Sequence, residues 1–217
     1  MKDDHINYAR IGHAQSFYRA LGYKNVEVPW TVSHDASRAT APPGANLFPT
    51  PVGVLIASGE QGFIELMRQG AMAPGKWQTT TPCFRDEKEH NELTRFSFMK
   101  TELIWYMPED NRLAFETVLN NAISCFYEIS EAEVFEGVQT AEGVDIYFNG
   151  VELGSYGVRT MDKHVWVYGT GLAEPRFSIM MRRQQQIAPF VSMAPSQPHP
   201  TEEAQDTSTS DAAQAPA

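Results

Sequence analysis

Hydrophobic and polar positions change period several times along this chain, and each change marks an element. Tyr8, Ile11, Tyr18 and Leu21, with Gln15 among them, fall near one face at helical spacing, which predicts a helix over 6–21 that Gly22 stops. Asn25-Val26-Glu27-Val28 alternates as a strand does and ends at Pro29. The proline-rich stretch 33–53, with Pro42, Pro43 and Pro49, predicts a loop, and a long loop in a compact domain is often functional. Val54-Leu55-Ile56 predicts a short buried strand. Phe63, Ile64 and Met67 predict a helix over 60–68, closed by a turn at Pro74-Gly75. Residues 78–85 and 96–106 read as two strands joined by a loop rich in charge. The clearest helix is 111–129, where Leu113, Phe115, Val118, Leu119, Ile123 and Phe126 supply a broad apolar face. Val144–Phe148 and Val151–Leu153 flank Asn149-Gly150, the strongest short hairpin signal. Gly169 and Gly171 predict a turn leading into a helix over 174–187. Antiparallel succession with helices inserted predicts an α+β fold, a mostly antiparallel sheet flanked by helices.

Composition gathers these elements into one domain. Of 217 residues, 42% are apolar and 11% aromatic, which is ample for one hydrophobic core. From Ala194 to Ala217 there is no Ile, Leu, Val or Phe, and Pro, Ser, Thr, Ala and Gln dominate. Burial there cannot offset ordering entropy, so the domain is expected over 1–193 and a disordered acidic tail over 194–217. Lys and Arg number 17 against 27 Asp and Glu, a net charge of −10. Four of the acids lie in the tail, which leaves the rest at −6. That balance disfavours broad nucleic-acid binding without forbidding a local basic site. No run of about 18 apolar residues is present, so no transmembrane helix and no membrane partner are expected. Cys83 and Cys125 make neither a metal spacing nor a disulfide framework, and a reduced cytoplasmic setting is the default.

Three segments carry candidate chemistry. Arg85 and Glu87 share one strand face, as do Phe96, Phe98, Lys100 and Glu102, so pairing across the loop would line one floor with Arg, Glu, Phe and Glu. Arg suits a phosphate, a carboxylate suits an amine or a metal ion, and an aromatic ring stacks on a base. A solvated hairpin with surface ion pairs fits the same pattern. In Gly169–Arg176, glycines permit close approach to a ligand, and Arg176 in a first helical turn opposes the helix dipole unless an anion binds there. A plain turn before a helix is the alternative. Glu152 and Arg159 lie on the second hairpin strand, where Glu152 either holds Mg²⁺ or is a surface acid. Ser58 and Glu60 open a helix, which a cap and a first-turn acid also explain. His34 and His164 are expected on the surface or in loops, His90 in the charged loop, and Cys83 in the core.

In order along the chain these segments resemble the three signature motifs of the class II aminoacyl-tRNA synthetases. Gly22–Pro29 after its helix looks like motif 1. Phe84-Arg85-Asp86-Glu87 with Arg95, Phe98 and Glu102 looks like motif 2. Gly169–Arg176 looks like motif 3, except that Pro175 stands where an acid is usual. The resemblance covers residues 8–187. It implies that Arg85 holds the ATP α-phosphate and the amino-acid carboxylate, Glu87 the nucleotide side, Phe98 the adenine, and Arg176 the γ-phosphate, with Arg95 in the ATP site. Glu152 would bind Mg²⁺ with help from Ser155. Ser58-Gly59-Glu60 is similar to a loop whose acid holds the α-amine, so Ser58, Glu60, Gln61, Arg85, Glu102 and Arg159 form the expected amino-acid site. Motif 1 implies a homodimer.

The function this implies is an ATP-dependent ligase that makes an aminoacyl-adenylate and passes it to a tRNA, a carrier protein or a small molecule. The catalytic burden falls on Arg85 and Arg176. Glu152-Leu153-Gly154-Ser155-Tyr156-Gly157-Val158-Arg159 is loosely similar to a strand of aspartate–ammonia ligase, a match too short to choose the amino acid. A non-catalytic paralogue that binds a ligand and regulates is the alternative from another class.

Overall fold

The computed structural model describes residues 5–130 and 134–191. The acidic tail expected over 194–217 lies outside the described residues. Asn7 caps α1 (Tyr8–Ala20) by accepting from Arg10 N at 2.9 Å, and Ile11, Ala14 and Tyr18 form its buried stripe. β1 (Lys24–Asn25) follows. Next come β2 (Thr31–Val32), α2 (His34–Arg38), β3 (Phe48–Thr50) and β4 (Gly53–Leu55), then α3 (Gly59–Arg68). The long elements are β5 (Gly75–Phe84), β6 (Ser97–Tyr106), α4 (Asn111–Ser130), β7 (Glu136–Gln139), β8 (Gly143–Phe148), β9 (Val151–Met161), β10 (His164–Glu174) and α5 (Arg176–Val191).

Seven strands form one sheet in the order β1-β5-β6-β10-β9-β8-β7, antiparallel except for the β1–β5 pair. A small sheet, β2-β4-β3, stands beside it. The predicted class, α+β with a mostly antiparallel sheet, is the observed one. Behind the large sheet, α1, α4 and α5 enclose Tyr18, Leu103, Val118, Phe126, Tyr156 and Phe177. On its front, α3 buries Phe63, Ile64 and Met67 against Ile104, Tyr106 and Trp166. Strand alternation sends neighbouring residues of β6 and β10 into these two cores.

Several expectations need correction. The strand expected over 25–28 pairs only at Lys24–Asn25, because Val28 turns into the front core. The stretch 33–53 is not one loop: Ser33 caps α2, and β3 pairs with β4. Asn149 and Gly150 both take positive φ, as the hairpin signal requires. A second hairpin turns at Asp162 and Lys163 without a glycine. Its strand β10 continues past Gly169 and Gly171, with a bulge between Thr170 and Leu172, so those glycines do not make a turn. His164 is buried, with Nδ1 at 2.6 Å from the Tyr106 hydroxyl, and is not a surface residue. Phe96 precedes β6, and its exposed ring packs on Phe48 and Phe84 instead of joining Phe98. Among the described residues no helix is long and apolar enough to cross a membrane.

Candidate active site

The front of the large sheet changes character along its central strands. On β6, Ile104 and Tyr106 lie under α3, whereas Phe98, Lys100 and Glu102, at the same parity, face a cavity. On β10 the change runs from Trp166 to Tyr168 and Thr170. The cavity has a volume of about 440 Å³, is floored by β6, β10 and β9, and is rimmed by Thr140, Ala141 and Glu142.

Two bulges decide what lines it. The β8–β9 register shifts at Ile146 and Tyr147, so Glu152 and Ser155, three residues apart, both line the cavity with Arg159. Val151, Leu153 and Tyr156 pack in the rear core. A second shift between Thr170 and Leu172 puts Thr170 and Ala173 on the cavity side. Gly169 and Gly171 face the rear. A Cβ on Gly169 would lie 2.6 Å from the Tyr156 ring, and one on Gly171 would lie 2.8 Å from the Tyr18 ring. These glycines let side chains of the rear core reach the sheet, and no ligand approach is needed to explain them.

One end of the cavity is basic. Arg85, just past β5, donates from Nε to the Ala57 carbonyl at 3.1 Å, and its guanidinium lies 5.1 Å from the centre of the Phe98 ring. Arg176 opens α5, where a cation opposes the helix dipole. It donates to the carbonyls of Glu152 and Leu93, both at 3.3 Å, and meets the Glu152 carboxylate at 3.5 Å. Glu87 and Arg95 do not line the main cavity; they line a small recess that continues past Phe98 under Pro175.

The other end holds buried carboxylates. Ser58 caps α3 and donates to Glu102 Oε2 at 2.9 Å, and Lys100 Nζ donates to Oε1 at 2.8 Å. Glu60 accepts from Trp166 Nε1 at 2.7 Å and pairs with Arg159. Burial pushes the Glu60 carboxyl above its ordinary value; Arg159 opposes the rise and the nearby Glu102 adds to it. Burial works against the Arg159 cation, but Glu60 and Glu142 outweigh it, so its pKa stands above the usual arginine value. Its guanidinium lies 4.2 Å from the centre of the Tyr168 ring. Glu60 is therefore both a first-turn acid and a cavity group. Gln61 is neither: it accepts from Ala57 N and donates to the Ser37 carbonyl, both at 2.8 Å, so its amide ties α3 to α2 and does not line the main cavity.

The cavity also contains Lys100, Glu142, Asp145, Tyr168 and Thr170, none of them among the expected site residues. Lys100 was legible as a member of the alternating β6 face. Glu142 and Asp145 arrive through the β7–β8 hairpin, and nothing local in the sequence marks them. Among the described residues, no group of three or more Asp, Glu, His or Cys is placed to hold a metal ion. A divalent cation fits here only as Mg²⁺ commonly binds, on Glu152 with Ser155 and the oxygens of a bound phosphate.

No protein-family model matches the sequence, and no curated protein is similar to it in sequence. Solved structures are similar in fold. PylSc, a pyrrolysyl-tRNA synthetase of Desulfitobacterium hafniense, superposes with a TM-score of 0.66 at 16% identity, over 82% of this chain and 69% of that one. A second structure of pyrrolysyl-tRNA synthetase from that organism gives 0.63 at 16% identity, over 88% and 73%. Cytoplasmic serine-tRNA ligase from Naegleria fowleri, in complex with AMP, gives 0.61 at 14% identity, over 80% and 52%. The chain has a class II aminoacyl-tRNA synthetase-like fold. Within this synthetase-like fold, the Phe84–Glu87 segment and Phe98–Glu102 belong to the β5–β6 hairpin, and β10 pairs with β6 before leading to Arg176. The motif 2 and motif 3 segments thus meet at one face of the sheet.

Proposed function

We propose that this chain is an ATP-dependent ligase that joins an amino-acid carboxylate to the α-phosphate of ATP, releases pyrophosphate, and passes the aminoacyl group to an acceptor. The observation that carries this reading is the meeting of Arg85, Phe98, Glu152 and Arg176 at one end of a cavity whose other end holds Glu60 and Glu102. Arg85 neutralises the α-phosphate and orients the attacking carboxylate, and Arg176 takes the γ-phosphate. Adenine stacks on Phe98, with Glu87 and Arg95 in the adjoining recess. Ser58, Glu60 and Glu102 form the end that receives the α-amine, and Arg159 fixes Glu60 there. Mg²⁺, held by Glu152 with Ser155, supplies further positive charge to the phosphates when bound. The attacking carboxylate is already ionised, so the chain's residues position and neutralise without a general base. The serine-tRNA ligase of similar fold was solved in complex with AMP, which is in keeping with a nucleotide ligand for this fold. We assign α1 and the segment to Pro29 to a homodimer contact, which light scattering at micromolar concentration checks.

Exchange of labelled pyrophosphate into ATP, screened across amino acids, tests the reading. One amino acid is expected to support exchange, and Arg85→Ala or Arg176→Ala to lower its rate at least ~100-fold without unfolding the chain. If no amino acid supports exchange and ATP does not bind, the ligase reading fails and a non-catalytic role stands in its place.

A further inference from the structure

Among the described residues three carboxylates are buried. Glu60 and Glu102 line the cavity, and Glu174 does not. Glu174 ends β10. Past the bulge, Ala173 lines the cavity, Leu172 packs in the rear core, and Glu174 follows Leu172 to the rear, where it meets α1. A charge there costs free energy unless it is paired and hydrogen-bonded.

Its partners converge on one turn. Glu174 Oε1 accepts from Arg10 Nη1 at 2.9 Å, and the same nitrogen donates to the Ser178 hydroxyl at 2.7 Å. Oε2 accepts from Ser178 N at 3.4 Å. The Arg10 guanidinium lies 5.5 Å from the centre of the Phe177 ring. Ser178 and Phe177 both belong to the first turn of α5. Pro175, whose carbonyl accepts from Ile179 N at 3.0 Å, stands at the capping position without a side-chain oxygen, so Glu174 caps the helix in its place.

The same turn carries Arg176 into the cavity. A cation at a helix N-terminus is unfavourable, and the negative charge of Glu174 two residues earlier offsets it. On the cavity side Arg176 holds the carbonyls of Glu152 and Leu93 and the Glu152 carboxylate, groups that lie where phosphates and Mg²⁺ are assigned. The contacts of Glu174 lie on the opposite side of the sheet and involve no group assigned to a ligand. They hold the turn in one place whether the cavity is empty or filled.

We infer that Arg10 and Glu174 form a strut from α1 that positions Arg176 for the γ-phosphate of ATP. The inference rests on the ligase reading above. Neither side chain reaches ATP; both are positioning residues that act through the backbone of residues 174–176. A pair that serves stability alone changes the folded fraction, and so the apparent kcat at constant KM. A pair that places Arg176 changes the KM for ATP.

Pyrophosphate exchange on the full chain, with ATP and the amino acid varied in turn, separates the two. Arg10→Met is expected to raise the KM for ATP about tenfold and to leave that for the amino acid unchanged. Arg10→Met/Glu174→Gln strands no charge, so its urea midpoint should return toward wild type while the KM for ATP stays raised. That double variant answers the question even where Arg10→Met alone fails to fold. In an Arg176→Ala background, Arg10→Met should change the KM for ATP by less than about twofold, because the side chain it positions is gone. A KM for ATP unchanged in both Arg10→Met variants overturns the inference, as does one that recovers together with stability. A rise that persists in full without Arg176 overturns it too. Wild type that supports no exchange and binds no ATP overturns the ligase reading itself, a distinct result.

Discussion

Removing Arg159 while keeping Glu60 tests how the amino-acid end is built. Arg159→Met keeps an apolar stem near Tyr168 and strands a carboxylate that is buried against Trp166. Breaking a buried ion pair from one side costs roughly 3–5 kcal/mol. Here the penalty has a ceiling, because Glu60 can take a proton. Starting from an ordinary value of 4.5, protonation costs about 1.4 kcal/mol per pH unit, hence about 3 kcal/mol at pH 7. At pH 5.5 the ceiling falls to about 1.4 kcal/mol. The second partner of Arg159, Glu142, is exposed and adds little. Urea unfolding should therefore show Arg159→Met less stable than wild type by up to about 3 kcal/mol at pH 7, and by about 1 kcal/mol at pH 5.5. In a Glu60→Gln background the same change should cost under about 1 kcal/mol at both pH values, since no charge is stranded. The sign is fixed by direction. Glu60 is raised in the folded state, so its contribution is complete below 4.5 and declines as pH rises through the folded value. Wild type should thus lose stability relative to Glu60→Gln over that range. A penalty that is independent of pH, or unchanged by Glu60→Gln, would refute the account.

Three further outcomes are expected. Gly171→Ala should destabilise by roughly 1–3 kcal/mol, because its Cβ meets the Tyr18 ring at 2.8 Å; unchanged unfolding with lost ATP binding would mean the glycine serves a ligand instead. Tyr106→Phe should cost about 1–3 kcal/mol by leaving buried His164 Nδ1 without its partner, and adding His164→Phe should recover part of that in the same urea assay. Burial pushes the Cys83 thiol up to about 11 and that of Cys125 to about 12, so the native chain should resist a thiol reagent at neutral pH until urea unfolds it. Rapid modification of native Cys83 would contradict its buried placement.

Much of the site was legible because strand parity is local. Once β6 is a strand, Phe98, Lys100 and Glu102 must share a face, and Arg85 follows from the pairing of β5 with β6. Parity failed where bulges intervene. Glu152 and Ser155 have opposite parity, and only the register shift against β8 brings both to the cavity. Gly169 and Gly171 were misread for a related reason: a glycine leaves room, and the chain alone does not say whether a ligand or the Tyr18 and Tyr156 rings take it. Gln61 sits beside Glu60 on α3, but a helix turns about 100° per residue, so neighbours in sequence point to different surroundings.

By itself, then, the order of side chains determined the α+β class, the two main hairpins and the candidate residues of β5, β6 and β9, since each depends on period, turn chemistry and residue type close along the chain. Tertiary structure decided which charges meet. Glu60 finds Arg159 and Trp166 about a hundred residues away, and the β7–β8 turn delivers Glu142 to the same guanidinium. Charge–charge energies depend on separation in space and on burial, and neither can be read from spacing in sequence.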